Sequence, residues 1–276
     1  MGWILAPSLS GLEKFEITEA DRNYWAFQPV PPQVAGTGID ALIDAKLGDL
    51  GITANPAAPR EVLIRRAYFD LIGLAPSYEE IQAFVDNPTP VAEAFAALVD
   101  RLLAMPEYGE RWGRHWLDVV RYGQTNGYER DDEKPNAWRY RDYVIESFNQ
   151  DKPYTQFVLE QLAGDELPGA GDVGLIATGF YRLGVWDDEP DDKKAAEFDG
   201  LDDILRTTSE TFLGLTAGCA RCHHHMFDPI SQTDYYTLLA FFRNVRGYEK
   251  PGDATLLKSW VLWCSPRCVD LSWAAN

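Results

Sequence analysis

Residues 218–230 read GCARCHHHMFDPI. Within them Cys219, Cys222 and His223 form C-x-x-C-H, the spacing of covalent haem attachment. Two thiols separated by two residues can add to the two vinyl groups of one haem. The imidazole that follows then lies close enough along the chain to ligate the iron. Gly218 lets the backbone turn tightly beside a bulky group, and Arg221 offers a cation for a propionate. This is the strongest chemical signal in the chain, and it points to a c-type haem protein, with the redox partner left unnamed.

The same residue types allow other chemistry. Two thiolates and two imidazoles, Cys219, Cys222, His223 and His225, could hold zinc. The C-x-x-x-C pair Cys264 and Cys268 could supply a distant second half. Four ligands on one short loop are sterically awkward, which weighs against that reading. A thioredoxin-like redox pair needs a βαβ setting, and no such rhythm is present. The plainest alternative is two buried cysteines beside surface histidines. A mixed centre of His223, His225 and Asp228, joined by Asp118 or Asp187, would bind non-haem zinc or iron and open metal-assisted hydrolysis or oxidation.

A six-coordinate haem needs a second axial ligand, commonly Met or His. Met226 follows the proximal histidine too closely to reach the opposite face. Met105 and His115 are the remote candidates, although His115, set between Trp112 and Trp116, reads more readily as a packed core histidine than as a ligand. Asp187, Asp188, Glu189, Asp191 and Asp192 crowd one loop. Without EF-hand spacing they read as a solvated acidic loop before a hard-cation site. Asp165 and Glu166 are adjacent and diverge, so they argue no paired-carboxylate catalysis. G-x-S-x-G, P-loop and G-x-G-x-x-G patterns are absent.

The chain has 276 residues, a formal net charge of −18 and 46% hydrophobic content, enough for one large or two modest cores. Such acidity repels phosphate, which argues against nucleic acid and anionic membranes as partners. No run of eighteen apolar residues exists to span a bilayer. Residues 1–15, MGWILAPSLSGLEKF, lack a basic leader and a small-residue cleavage site. Covalent haem attachment takes place outside the cytoplasm, so either a leader and an upstream domain lie beyond this sequence or the site carries no covalent haem. Four cysteines in a chain of this size do not make a disulfide scaffold.

The elements that must position these residues are helical nearly throughout. Ile39, Leu42, Ile43, Leu47 and Leu50 recur at helical spacing before Gly51. Residues 59–72 start at Pro59 and stop before Gly73. Ser77 and Glu80 form a capping box for a helix through Val85, and Ser231 and Asp234 repeat the pattern before 235–242. Segments 91–104, 107–122, 137–149, 153–163 and 201–215 complete the series. The expected fold is a mainly α, irregular single helical domain with long loops, over residues 38–248. Residues 1–37 read as an extended Pro-rich arm, 183–200 as an acidic loop, and 249–276 as an atypical tail, truncated or foreign in character.

The chain resembles the second type of planctomycete cytochrome domain (PSCyt), a family of unknown function. The resemblance rests on islands in order over roughly residues 23–248: 24–30 (YWAFQPV), 63–84, 98–123, 138–168, 177–190 and 212–242. It implies a bacterial, exported protein, periplasmic or at the cell surface. It also implies a haem-binding cytochrome domain upstream and a further domain downstream. The family pattern carries an acid where this chain has His224 and a lysine where it has Met226. Cys219, Cys222 and His223 are retained.

Overall fold

The computed structural model describes residues 15–30, 38–187 and 189–245. Among them the chain forms eleven α-helices and no strand; an isolated antiparallel bridge joins Thr125 and Glu133. The helices are α1 (Glu19–Arg22), α2 (Ile39–Asp49), α3 (Arg60–Leu71), α4 (Tyr78–Val85), α5 (Val91–Leu103), α6 (Pro106–Val119), α7 (Ala137–Asn149), α8 (Tyr154–Ala163), α9 (Gly171–Ala177), α10 (Lys193–Thr208) and α11 (Gln232–Phe241). The mainly α reading of the sequence is what the structure shows.

Two compact units share the chain. Among the described residues, one holds those up to Asn55 together with Ala217–Thr237; the other holds those within Pro56–Thr216 and from Leu238 to Val245. The chain therefore leaves the first unit, builds most of the second, and returns to the first to place the C-x-x-C-H segment.

Local sequence rules explain several helix ends. Ser77 Oγ accepts from Glu80 N–H while the Glu80 carboxylate accepts from Ser77 N–H, so two donors at the start of α4 are satisfied reciprocally. Gly51 and Gly73 take positive φ, 67° and 73°, just past α2 and α3, where a side chain would be strained. The acidic stretch departs from its reading as a loop through residue 200. Asp192 accepts from the backbone N–H of Lys194 and Ala195, and α10 begins directly after it. A helical start at Thr18, capped reciprocally by Asp21, lies within the residues read as an arm. α10 ends in a single π turn, Ser209–Leu213, closed by Gly214 at φ 66°.

In the larger unit two apolar clusters form. Ile64, Tyr68, Ile72, Phe84, Leu98 and Leu102 join α3, α4 and α5. Val120, Tyr140, Val144, Phe157, Phe180 and Leu183 join the end of α6 to α7, α8 and the segment after α9. Each fully buried residue of this size contributes about 1.5–3 kcal/mol. A polar clasp sits beside the first cluster: Tyr68 Oη donates to the Glu80 carboxylate, and Arg101 donates to both, at 2.8 Å to Tyr68 and 3.2 Å to Glu80. The Tyr68 bond, followed by the Ser77 backbone N–H, holds the Glu80 carboxyl down to about 2.

Close helix crossings depend on glycine. A Cβ on Gly109 of α6 would lie 2.4 Å from the Ile145 carbonyl oxygen of α7 and 2.6 Å from the Asn149 side chain. Gly164 and Gly174 approach each other so closely that a Cβ on either would lie 2.2–2.3 Å from the other's carbonyl oxygen.

Gly109→Ala is therefore expected to cost about 1–3 kcal/mol in denaturant unfolding, whereas Gly48→Ala, in α2 with open space around it, is expected to be neutral or slightly stabilising. The depressed Glu80 carboxyl has a signed pH consequence. Its contribution is complete above the unfolded value of 4.5 and is lost as pH falls from there through about 2. In acid titrations followed by circular dichroism, the stability gap between wild type and Glu80→Gln is expected to shrink across that window.

Candidate functional site

The C-x-x-C-H residues lie in the smaller unit. Ala217–Arg221 form a 3-10 turn containing Cys219, with Cys222 and His223 directly after it. Both thiols are free and exposed, and His223 is exposed. The reading in which these cysteines are buried structural residues does not hold.

Between Arg221 and Gln232 the backbone has no regular ladder, and its groups find partners on side chains. His223 Nδ1 lies 2.6 Å from the His224 carbonyl oxygen. A carbonyl only accepts, so Nδ1 carries the hydrogen. In the neutral ring Nε2 then presents the lone pair that a metal requires. The other two histidines are set the opposite way. His224 Nδ1 accepts from Gln232 N–H at 3.1 Å, and its ring stacks on Phe15 with centroids 4.8 Å apart. His225 is buried, and its Nδ1 accepts from Asp228 N–H at 2.8 Å and Phe227 N–H at 3.2 Å.

His225 N–H donates to Ile230 O, and Ile230 N–H to Asp228 O, closing a tight loop over 225–230. The segment is anchored from α11. Gln232 Nε2 donates to Arg221 O at 2.9 Å, and Tyr236 Oη donates to the same oxygen at 3.2 Å. The expected Ser231–Asp234 capping box is formed; its hydrogen bonds, from the Ser231 hydroxyl foremost, lower the Asp234 carboxyl.

Among the described residues no three His, Cys, Asp or Glu side chains gather as a metal-binding group. Asp228 approaches His225 Nδ1 at 3.5 Å, but the lone pair of that nitrogen is already engaged with two N–H donors. His225 therefore organises the loop in this conformation. Cys264 and Cys268 lie outside the described residues.

The remaining candidates belong to the larger unit. His115 is exposed on α6, edge-on to Trp112 at 5.6 Å, and so is not the packed core histidine that its neighbours suggested. Met105 is partly buried against the α3–α5 cluster. Asp118 is exposed. The acidic stretch is spent on local structure: Asp187 accepts from Glu189 N–H, Glu189 pairs with Arg130 at 2.6 Å, and Asp192 caps α10. Asp188 lies outside the described residues. Asp165 and Glu166 fall in one 3-10 turn.

Sequence reasoning missed two polar clusters here. Lys134 Nζ donates to the carbonyls of Leu183 and Gly184 at 3.1 and 2.6 Å, tying 124–134 to 183–186. Burial first, then the charges of Arg182 and Arg121, pull its ammonium down to about 8. Glu160 is buried and accepts from Tyr143, Lys152 and Gln156. Burial alone would raise its carboxyl, but these three bonds outweigh burial and hold it low. Nothing in residue spacing marks either cluster.

Residues 38–247 match PSCyt2, a family described as a protein of unknown function (DUF1549), and the chain belongs to it. The search of curated proteins gave no match, and neither did the search of solved structures.

The loop geometry makes His225 testable. His225→Ala removes the acceptor of two backbone donors, and hydrogen–deuterium exchange at Phe227 and Asp228 is expected to accelerate by tenfold or more. The helices of the larger unit are expected to keep their protection.

Proposed function

We propose that this chain is a c-type haem-binding domain of a larger exported bacterial protein, serving electron transfer. Cys219 and Cys222 would hold the haem and His223 would ligate its iron. The observation that carries this reading is the state of the motif: two free, exposed thiols beside an exposed imidazole whose Nδ1–H is engaged, leaving Nε2 as the ligating atom.

The residues fit the group. Thioether formation requires thiols that are neither buried nor paired. Each S–H adds across one vinyl C=C, the sulfur forming a bond to one carbon and the hydrogen going to the other, so no oxidant is consumed. The hydrogen bond from Nδ1 to a carbonyl sets the ring tautomer and leaves Nε2 as the ligating nitrogen. Haem also asks little of the protein, because the porphyrin supplies four nitrogens and one imidazole completes a competent site. A zinc or non-haem iron centre asks for three or four protein ligands, and the described residues do not gather such a shell. When bound, the haem would supply one-electron chemistry. The chain's acidic surface would favour a redox partner with a cationic face.

The test is maturation of the full chain behind an export leader in a host with a c-type maturation system. Covalent haem is expected to survive denaturing electrophoresis, with a pyridine haemochrome spectrum of a doubly thioether-linked haem. The double variant Cys219→Ser, Cys222→Ser is expected to lose it while keeping the helical circular dichroism of wild type. Folded, exported wild-type protein without haem would overturn the proposal. Stoichiometric zinc or iron in its place would favour the non-haem alternative.

A further inference from the structure

We propose that Met226 and Phe227 form a rigid apolar seat against which the porphyrin held at Cys219, Cys222 and His223 packs. This rests on the haem reading and adds the part of the site that touches the macrocycle face.

The two side chains are 80% and 83% exposed, although each is large and apolar. Scattered exposed apolar residues are ordinary, but this pair is adjacent and its backbone is fixed. The N–H of Phe227 is held by the ring of buried His225, as is that of Asp228, and His225 N–H closes the loop on Ile230 O. The loop buries its imidazole and holds its two apolar side chains outward. Such a fixed backbone gives a binding surface preorganisation, because little main-chain freedom remains to be lost on contact.

Position identifies the occupant. Met226 is three peptide steps from His223, which limits their Cα separation to about 11 Å. Any haem anchored through the two thiols and His223 must lie within that neighbourhood, and its faces are apolar. Methionine suits this use, since its flexible thioether packs well against aromatic surfaces. Phenylalanine adds a flat ring with offset or edge-on stacking geometry. His224 stacks on Phe15 and His225 is buried, so neither of these rings competes for the same role.

Hydroxyl-radical footprinting of the full chain, matured with haem and expressed without it, tests the proposal. In the haem-free protein Met226 and Phe227 are expected to label rapidly, as is Phe241, which is 78% exposed and serves as the reference. In the haem-loaded protein the labelling of Met226 and Phe227 is expected to fall at least fivefold, with Phe241 unchanged. If haem attaches and the two residues label as fast as before, the seat is overturned and the haem reading stands. If no haem attaches to folded, exported protein, both fall. Protection already present without haem and rising with protein concentration would assign the tip to self-association and also overturn the seat.

Discussion

Between Arg221 and Gln232 the backbone has neither helix nor strand to satisfy its polar groups, and side chains must do so. Imidazole nitrogens take much of that work. His224 Nδ1 accepts from Gln232 N–H, His225 Nδ1 accepts from two consecutive N–H groups, and Gln232 and Tyr236 return bonds to the Arg221 carbonyl. Each such bond contributes about 0.5–1.5 kcal/mol net, and together they hold the path of the loop. Once the path is set, the disposition of the reactive atoms follows: both thiols outside, His223 with its Nδ1–H tied down, and Met226 and Phe227 at the tip.

Three consecutive histidines thus serve two purposes. His224 and His225 use Nδ1 as an acceptor, which binds them to the chain, while His223 uses Nδ1 as a donor, which leaves Nε2 for chemistry. The difference lies in what each ring meets, a carbonyl or an N–H, and residue type alone cannot express it. The larger unit works by a related economy. Its buried Glu160 carboxylate is met by Tyr143, Lys152 and Gln156, and nearer the surface Tyr68, Glu80 and Arg101 form a clasp. Its tightest crossings fall at Gly109 and at the Gly164–Gly174 pair, where only hydrogen fits between backbones.

Much of the helical frame was legible from local rules. Ser77 with Glu80 and Ser231 with Asp234 announced their caps, and the glycines at 51 and 73 announced stops, because these signals act within a few residues. The start of α10 was misread, since a dense acidic run looks solvated, yet Asp192 within it is an N-cap. α9 lacks strong helix formers at its start, reading Gly171, Asp172, Val173 and Gly174, and exists through packing against α7 and α8. His115 was set among tryptophans in the sequence, but α6 turns it outward.

At the site, the sequence alone determined the reactive set. The identities and spacing of Cys219, Cys222 and His223 are a matter of covalent order, and they specify what chemistry is available wherever the loop lies. The tertiary structure decided which of the neighbouring histidines is free to take part and which apolar residues stand beside it. Those outcomes depend on hydrogen bonds from Gln232, Phe227 and Asp228 and on a ring supplied by Phe15, more than two hundred positions away in the chain. Spacing is a property of neighbours along the chain, whereas a tautomer and an exposed face are set by whatever folding brings near.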